Sequence, residues 1–228
     1  MSKNLIVAID GPAGSGKSTS AKLVAQKLGY LYIDTGAMYR AITYLTIKKK
    51  LESETDIVRL AESTDIILKF DKGFTEVIVN KTDISDELRS YEVNIKVSNI
   101  SKIEGVRKAL VKKQREYAAR DTGIVMEGRD IGTVVFPDAD VKIFLTASLE
   151  QRVNRRVKEY VSKGISIPVE NIKENLLQRD KIDSTRDVSP LTKAADAVEI
   201  DTSSVTIEEQ VQLILNEVKK KTEFIKSS

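Results

Sequence analysis

The chain has no cysteine and no histidine. The first absence excludes disulfides, zinc ribbons and thiol nucleophiles, and it suits an intracellular setting. The second removes the commonest general base and metal ligand, and with them serine–histidine hydrolase chemistry. An excess of charge of either sign is also missing. Thirty-seven Lys and Arg against thirty-four Asp and Glu give a formal charge of +3, too even for a nucleic-acid coat or an anionic membrane surface. The N-terminal apolar run, Leu5 to Ile9, stops at Asp10, which is a buried strand rather than a signal or spanning segment. No internal repeat or low-complexity linker occurs. These features predict a soluble cytoplasmic protein with no nucleic-acid or membrane partner, acting as a monomer.

What is present reads as an α/β protein. In 228 residues, apolar runs recur at 5–9, 30–33, 124–127, 141–145 and 197–200, separated mostly by helix-period segments, which predicts a five-stranded parallel sheet flanked by helices. Helices are expected over 17–28, stopped by Gly29, and over 37–49. Capping boxes at Ser148/Gln151 and Thr206/Glu209 open two more, the former closed at Gly164. The Lys/Ser tail after 218 reads as frayed. Residues 66–83 break the rhythm as a hairpin turning at DKG. They imply an inserted lobe over about 62–102, followed by a helix over 103–119, with 1–61 and 103–228 forming the core.

The strongest chemistry lies in IVAIDGPAGSGKST. Gly11, Gly16, Lys17 and Ser18 satisfy G-x-x-x-x-G-K-[ST] between a strand and a helix, the context this motif requires. The segment Gly11, Pro12, Ala13, Gly14, Ser15, Gly16, Lys17, Ser18 and Thr19 thus reads as an ATP cradle. Its backbone N–H groups and helix N-terminus face the phosphates, Lys17 bridges the β- and γ-phosphates, and the Ser18 hydroxyl serves Mg²⁺. NKTD at 80–83 matches a guanine-recognition element. However, no D-x-x-G occurs anywhere, and a hairpin turn rich in Asn and Asp is the simpler reading.

Three further segments place polar groups at the sheet's C-terminal edge, the binding edge of open α/β folds. DTGAMYR brings Asp34, Thr35 and Arg40. EGRDIGTVVFPDA brings Arg129 and Asp130. VRKALVKKQ opens with Arg107. Arginine forks suit phosphate, so Arg40 and Arg129 read as acceptor-phosphate ligands. Arg152, Arg155 and Arg156, on the helix opening at Ser148, read as groups that swing over the transferring phosphoryl group. RDKIDSTR sets Arg179, Asp183 and Arg186 at i, i+4 and i+7, on one face if helical, with the Asp183 carboxylate expected to be held by Arg179. Transfer to an alcohol generally needs a base, whereas a nucleoside monophosphate is already an anionic nucleophile. A phosphate loop with arginines and no histidine therefore suits a nucleoside monophosphate kinase.

GPAGSGKS, DTGAMYR, EGRDIGTVVFPDA and RDKIDSTRDVSPL, in this order over nearly the whole chain, resemble the bacterial-type cytidylate kinase family. The resemblance implies a P-loop kinase fold with a monophosphate-binding lobe and a short lid, about 152–166, transferring phosphate from ATP with Mg²⁺ to CMP or dCMP. It further implies that Arg40 and Arg129 hold the CMP phosphate, that Ser98, Arg107 and Asp130 face cytosine, that the Thr35 hydroxyl serves where relatives often carry serine, and that Arg179, Asp183 and Arg186 meet the ribose and phosphates. A carboxylate at Asp130 accepts from the cytosine amino group but meets uracil with an oxygen, which favours CMP over UMP. The alternatives are an adenylate-, thymidylate- or shikimate-type kinase and, from another class, a nucleic-acid-binding ATPase.

Overall fold

The computed structural model describes residues 4–71, 74–117 and 122–227. Its centre is an all-parallel sheet of β1 (Ile6–Asp10), β2 (Leu31–Asp34), β6 (Ile124–Gly128), β7 (Val141–Thr146) and β8 (Val198–Asp201), in the spatial order β2-β6-β1-β7-β8. These are the five expected strands. They read as near-continuous apolar runs because helices cover both faces of the sheet. Ala8, Ile33 and Met126 point into one apolar cluster with α2 (Thr35–Lys48) and α5 (Glu104–Glu116). Val7, Ile9, Val125 and Ile143 alternate into the other, beneath α1 (Lys17–Leu28) and α8 (Ile207–Ser227).

Local signals set most helix ends. Gly29 takes the left-handed conformation, φ 67°, and its N–H returns to Ala25 and Gln26. Thr206 and Glu209 exchange side-chain-to-backbone bonds at 3.2 and 2.7 Å, closing the capping box that opens α8. Ser148 caps α6 (Leu149–Ser162) through the Gln151 N–H. The α2 helix starts at Thr35 rather than 37, since the Asp34 carboxylate caps it by accepting from the Ala37 N–H at 3.0 Å. The C-terminal stretch is helical to Ser227 instead of frayed, as Val218 is buried and Ile225 packs on the second cluster.

Between β2 and β6 lie α3 (Glu54–Ser63), an antiparallel sheet of β3 (Ile66–Asp71), β4 (Phe74–Val79) and β5 (Thr82–Asp83), and α4 (Tyr91–Ser101). The expected hairpin is β3–β4; residues 72–73 of its DKG turn lie outside the described residues. NKTD forms the next turn. Asn80 and Lys81 both adopt positive φ, 47° and 71°, the two-residue geometry that matches strand twist, and the Asn80 side chain accepts from the Asp65 N–H. The tetrapeptide is the turn between β4 and β5, the simpler of its two readings. Leu68, Val77, Val79, Ile84 and Leu88 of this segment join the same apolar cluster as Ala8, Met38 and Met126. A third, smaller cluster joins α6 to α7 (Val169–Thr185).

Candidate active site

The C-terminal ends of β1, β2 and β6 open into a cleft of about 830 Å³. The phosphate loop forms its floor. Gly11, at φ 148°, sits against β7 so closely that a Cβ would lie 2.1 Å from the Leu145 carbonyl oxygen, so no side chain fits there. Lys17 is 5% exposed and folds back over the loop, donating from Nζ to the Pro12 carbonyl at 2.7 Å and to Ser15 Oγ at 3.4 Å. Ala13, Gly14, Gly16, Lys17, Ser18 and Thr19 line the cleft, while Gly11, Pro12 and Ser15 shape the loop beneath it.

Acceptor candidates face the loop from three sides. Arg40 pairs with Asp34 at 2.7 Å. Arg129 pairs through Nε with Asp183 at 2.8 Å, across 54 residues of sequence. Arg107, fully buried, pairs with Asp130 and donates to the Ser101 carbonyl at 3.0 Å, with Tyr39 stacked 5.3 Å from its guanidinium carbon. Ser98, on α4, is buried and lines the same wall. RDKIDSTR is helical up to Thr185, with Arg186 as the C-cap. The expected Arg179–Asp183 pair is replaced: Asp183 turns to Arg129 and, at 3.8 Å, to Arg186. Arg179 keeps a buried Nε with no hydrogen-bond partner.

Electrostatics here favour an anion. Burial, and then the neighbouring Arg129, hold the Lys17 ammonium well below its usual range. The same two causes bring Arg179 down to about 9. Burial pushes the Asp183 carboxyl up, yet Arg129 and Arg179 outweigh it and the net shift is downward. Cations crowded at this density stay charged most readily with phosphate oxygens between them.

The cytidylate kinase family model matches residues 7–220. A cytidylate kinase of Bacillus subtilis (strain 168) is 48% identical over 224 residues, covering 97% of this chain and all of that one. Another, from Clostridioides difficile (strain 630), is 46% identical over 217 residues, covering 94% and 98%. The chain belongs to the cytidylate kinase family. Among solved structures, a gluconokinase from Sinorhizobium meliloti 1021 aligns over 99% of this chain and 97% of its own with a TM-score of 0.52 at 13% identity, a likeness of fold.

In this cytidylate kinase several side chains depart from the roles expected of them. Arg152 does not swing over the cleft. It is 7% exposed, donates to the Ala13 carbonyl at 3.3 Å and pairs with Asp180 at 2.7 Å. Arg155 lines the cleft, but its guanidinium is committed to the carbonyls of Gly14 and Thr202 at 3.2 and 2.5 Å. Arg156 is the member of the trio on the open wall, held by Glu159 at 2.7 Å. The Thr35 hydroxyl lines the cleft and donates to the Glu127 carbonyl at 2.7 Å, which ties it to β6.

Two carboxylates escaped the sequence reading. Glu127, 4% exposed, accepts from the Tyr32 hydroxyl at 2.5 Å and from Ser18; burial, then Asp34, raise its pKa. Asp10, also buried, accepts from the Ile131 and Gly132 N–H groups at 2.8 Å each, so the end of β1 holds the loop that carries Arg129 and Asp130. A carboxylate at a strand's end reads as a cap or loop residue, and only the sheet order places both beside Lys17.

Burial raises the Asp10 pKa to about 6 from an ordinary 3.8. A raised folded value means the native state holds a proton the unfolded chain has released, so this group's contribution is complete below the ordinary value and disappears as pH rises through 6. Wild type should therefore gain about 1.4 kcal/mol relative to Asp10→Asn between pH 8 and pH 5, one pKa unit being worth about that much. Urea melts of both proteins at the two pH values check it; a pH-independent difference would mean that Asp10 does not titrate in this range.

Proposed function

We propose that this kinase transfers the γ-phosphate of ATP to CMP or dCMP, giving ADP and CDP or dCDP. The observation that carries the reading is one cleft in which Lys17 of the phosphate loop faces Arg40, Arg129 and Arg179 from three other elements. The acceptor phosphate is its own nucleophile, so the protein has to align two anions and neutralise charge as it develops. Lys17 serves the donor phosphates, Arg129 and Arg40 the acceptor phosphate, and Arg156, from the lid, the group in flight. Ser98, Arg107 and Asp130 form the base wall, and Arg179, Asp183 and Arg186 take the ribose side. Thr75, Val77 and Ser85 reach the cleft from the insertion, which supports reading 62–102 as the monophosphate lobe.

Mg²⁺ fits this site as a sparingly held ion. The Ser18 hydroxyl stands beside the Glu127 carboxylate, and among the described residues no cluster of three acidic or other ligating side chains could hold a metal alone. That suits a hard cation that takes few protein ligands and completes its shell with phosphate and water. Bound there, it would neutralise charge on the donor phosphates. The reading includes a monomer in the cytoplasm; among the described residues no helix is long and apolar enough to cross a membrane.

The test is a panel of acceptors with ATP: CMP, dCMP, UMP, AMP, dTMP and shikimate. CMP and dCMP should give the highest kcat/KM, and preference for AMP, dTMP or shikimate would reject the assignment. Asp130→Asn then tests the base wall. The amide presents a donor to uracil O4, whereas the carboxylate only accepts. The CMP/UMP ratio of kcat/KM should fall about tenfold, mainly through weaker CMP use, since charge-assisted bonds are about twice as strong as neutral ones. The pair with Arg107 also breaks, so both substrates lose some activity. An unchanged ratio would leave Asp130 as a brace for Arg107.

A further inference from the structure

Arg152 and Asp180 belong to neither the phosphate loop nor the acceptor wall, yet they join the two. Arg152 stands on the first turn of α6, where its backbone presses on the phosphate loop: a Cβ at Gly14, φ 79°, would lie 3.1 Å from Arg152 Cβ. Its guanidinium donates to the Ala13 carbonyl at 3.3 Å and pairs with Asp180 at 2.7 Å. Around this pair Ala13 packs in one cluster with Val153 and Tyr160 of α6 and Ile172 and Leu176 of α7. Asp180 follows Arg179 and precedes by one turn Asp183, which holds Arg129. A line of direct contacts thus runs from the loop's backbone through Arg152 and Asp180 to the helix that presents Arg179 and Asp183.

We infer that Arg152 and Asp180 are positioning residues that set α7 against the phosphate loop, so that donor and acceptor bind with coupled free energies. This rests on the reading above, with donor phosphates on the loop and CMP against α7. An ion pair whose guanidinium is withdrawn from water while its carboxylate is partly exposed contributes little to stabilising a fold compared with apolar packing. Its fixed geometry is another matter: a guanidinium gripping one carbonyl and one carboxylate holds two elements at a defined distance. Coupling is reciprocal, so it can be read from either ligand.

Calorimetry on the full chain tests this, with CMP titrated alone and in the presence of a non-hydrolysable ATP analogue, and the analogue titrated with and without CMP. Wild type should bind CMP at least about fivefold more tightly with the analogue present, the lower end of typical coupling. In Asp180→Asn, nearly isosteric and on a partly exposed residue, that factor should fall to below about twofold while each ligand alone keeps its affinity within about threefold. Arg152→Met should do the same, and the double variant should add little to either single one. Wild-type coupling retained in Asp180→Asn would overturn the inference. So would a parallel fall of both single-ligand affinities with the melting temperature, the mark of a brace alone, or the absence of coupling in wild type. Failure of wild type to bind CMP at all would reject the functional reading itself, and binding with unaltered coupling would reject the strut alone.

Discussion

Lys17→Ala should turn over at least about 10²- to 10³-fold more slowly than wild type at saturating ATP and CMP, the range for removing one preorganised charge from a transition state. Its melting temperature should stay level or rise. The two effects separate because Lys17 is a buried cation whose pKa is depressed first by burial and then by Arg129, so its charge is held in the fold at a cost. Deleting it removes that strain together with two hydrogen bonds to Pro12 and Ser15 of its own loop. The charge is instead used by the phosphoryl group as negative charge develops on it. Initial rates and thermal melts on one preparation decide the matter. Turnover near wild type would remove the phosphate-cradle assignment.

Asp183→Ala should be the most damaging substitution to fold and activity together. The carboxylate is the direct ion-pair partner of both Arg129 and Arg186, and it also lies in the field of Arg179. Its loss leaves three guanidinium groups crowded without it, and removing one partner of a buried pair costs about 3–5 kcal/mol. Arg129 then loses its anchor, so kcat/KM for CMP should fall by at least about 10²-fold, as misplacing a positioning group does. The pH dependence has a definite sign. The folded carboxyl lies below its ordinary value, so its contribution is present above that value and disappears as pH falls through the lowered one. The stability gap between wild type and variant should therefore close in acid. Denaturant melts from pH 7 down to pH 3 measure it, and a gap that widens in acid would mean Asp183 is not ionised in the fold.

The elements that could be read from sequence were those whose cause is local. Five apolar runs gave five strands; β1 and β6, at the centre of the sheet, are buried almost throughout, while β8 at the edge buries only Ile200. Gly29, Ser148 and the Thr206–Glu209 pair marked helix ends through chemistry confined to one turn. The phosphate loop was recognisable because its function is carried by consecutive residues. Pairings across the fold were not readable. RDKIDSTR suggested that Asp183 meets Arg179 four residues away, but the carboxylate turns to Arg129, 54 residues away, because β6 ends beside α7. Arg152, Arg155 and Arg156 look alike in sequence, yet one is buried against Ala13, one grips Thr202 and one lies on the open wall. Only the seating of α6 on Gly14 separates them. The α4 helix was missed inside a segment whose clearest signal was its hairpin, and α3 was missed just ahead of it.

The cluster that runs without a break from Ala8 and Met126 of the central sheet to Leu68, Val77 and Ile84 around the small antiparallel sheet bears on how the molecule can breathe. Those residues form one continuous apolar cluster, so swinging that segment outward as a leaf on a hinge would wet apolar surface at about 25 cal/mol per Å². Sliding does not incur that cost. Helices packed on a greasy face can shift past one another by an ångström or two with their contacts kept, as in shear-type closure. An approach of the arginine-lined wall to the phosphate loop that keeps this apolar layer dry would have to slide α4 and α5 across α2 and α3, the helices they pack on.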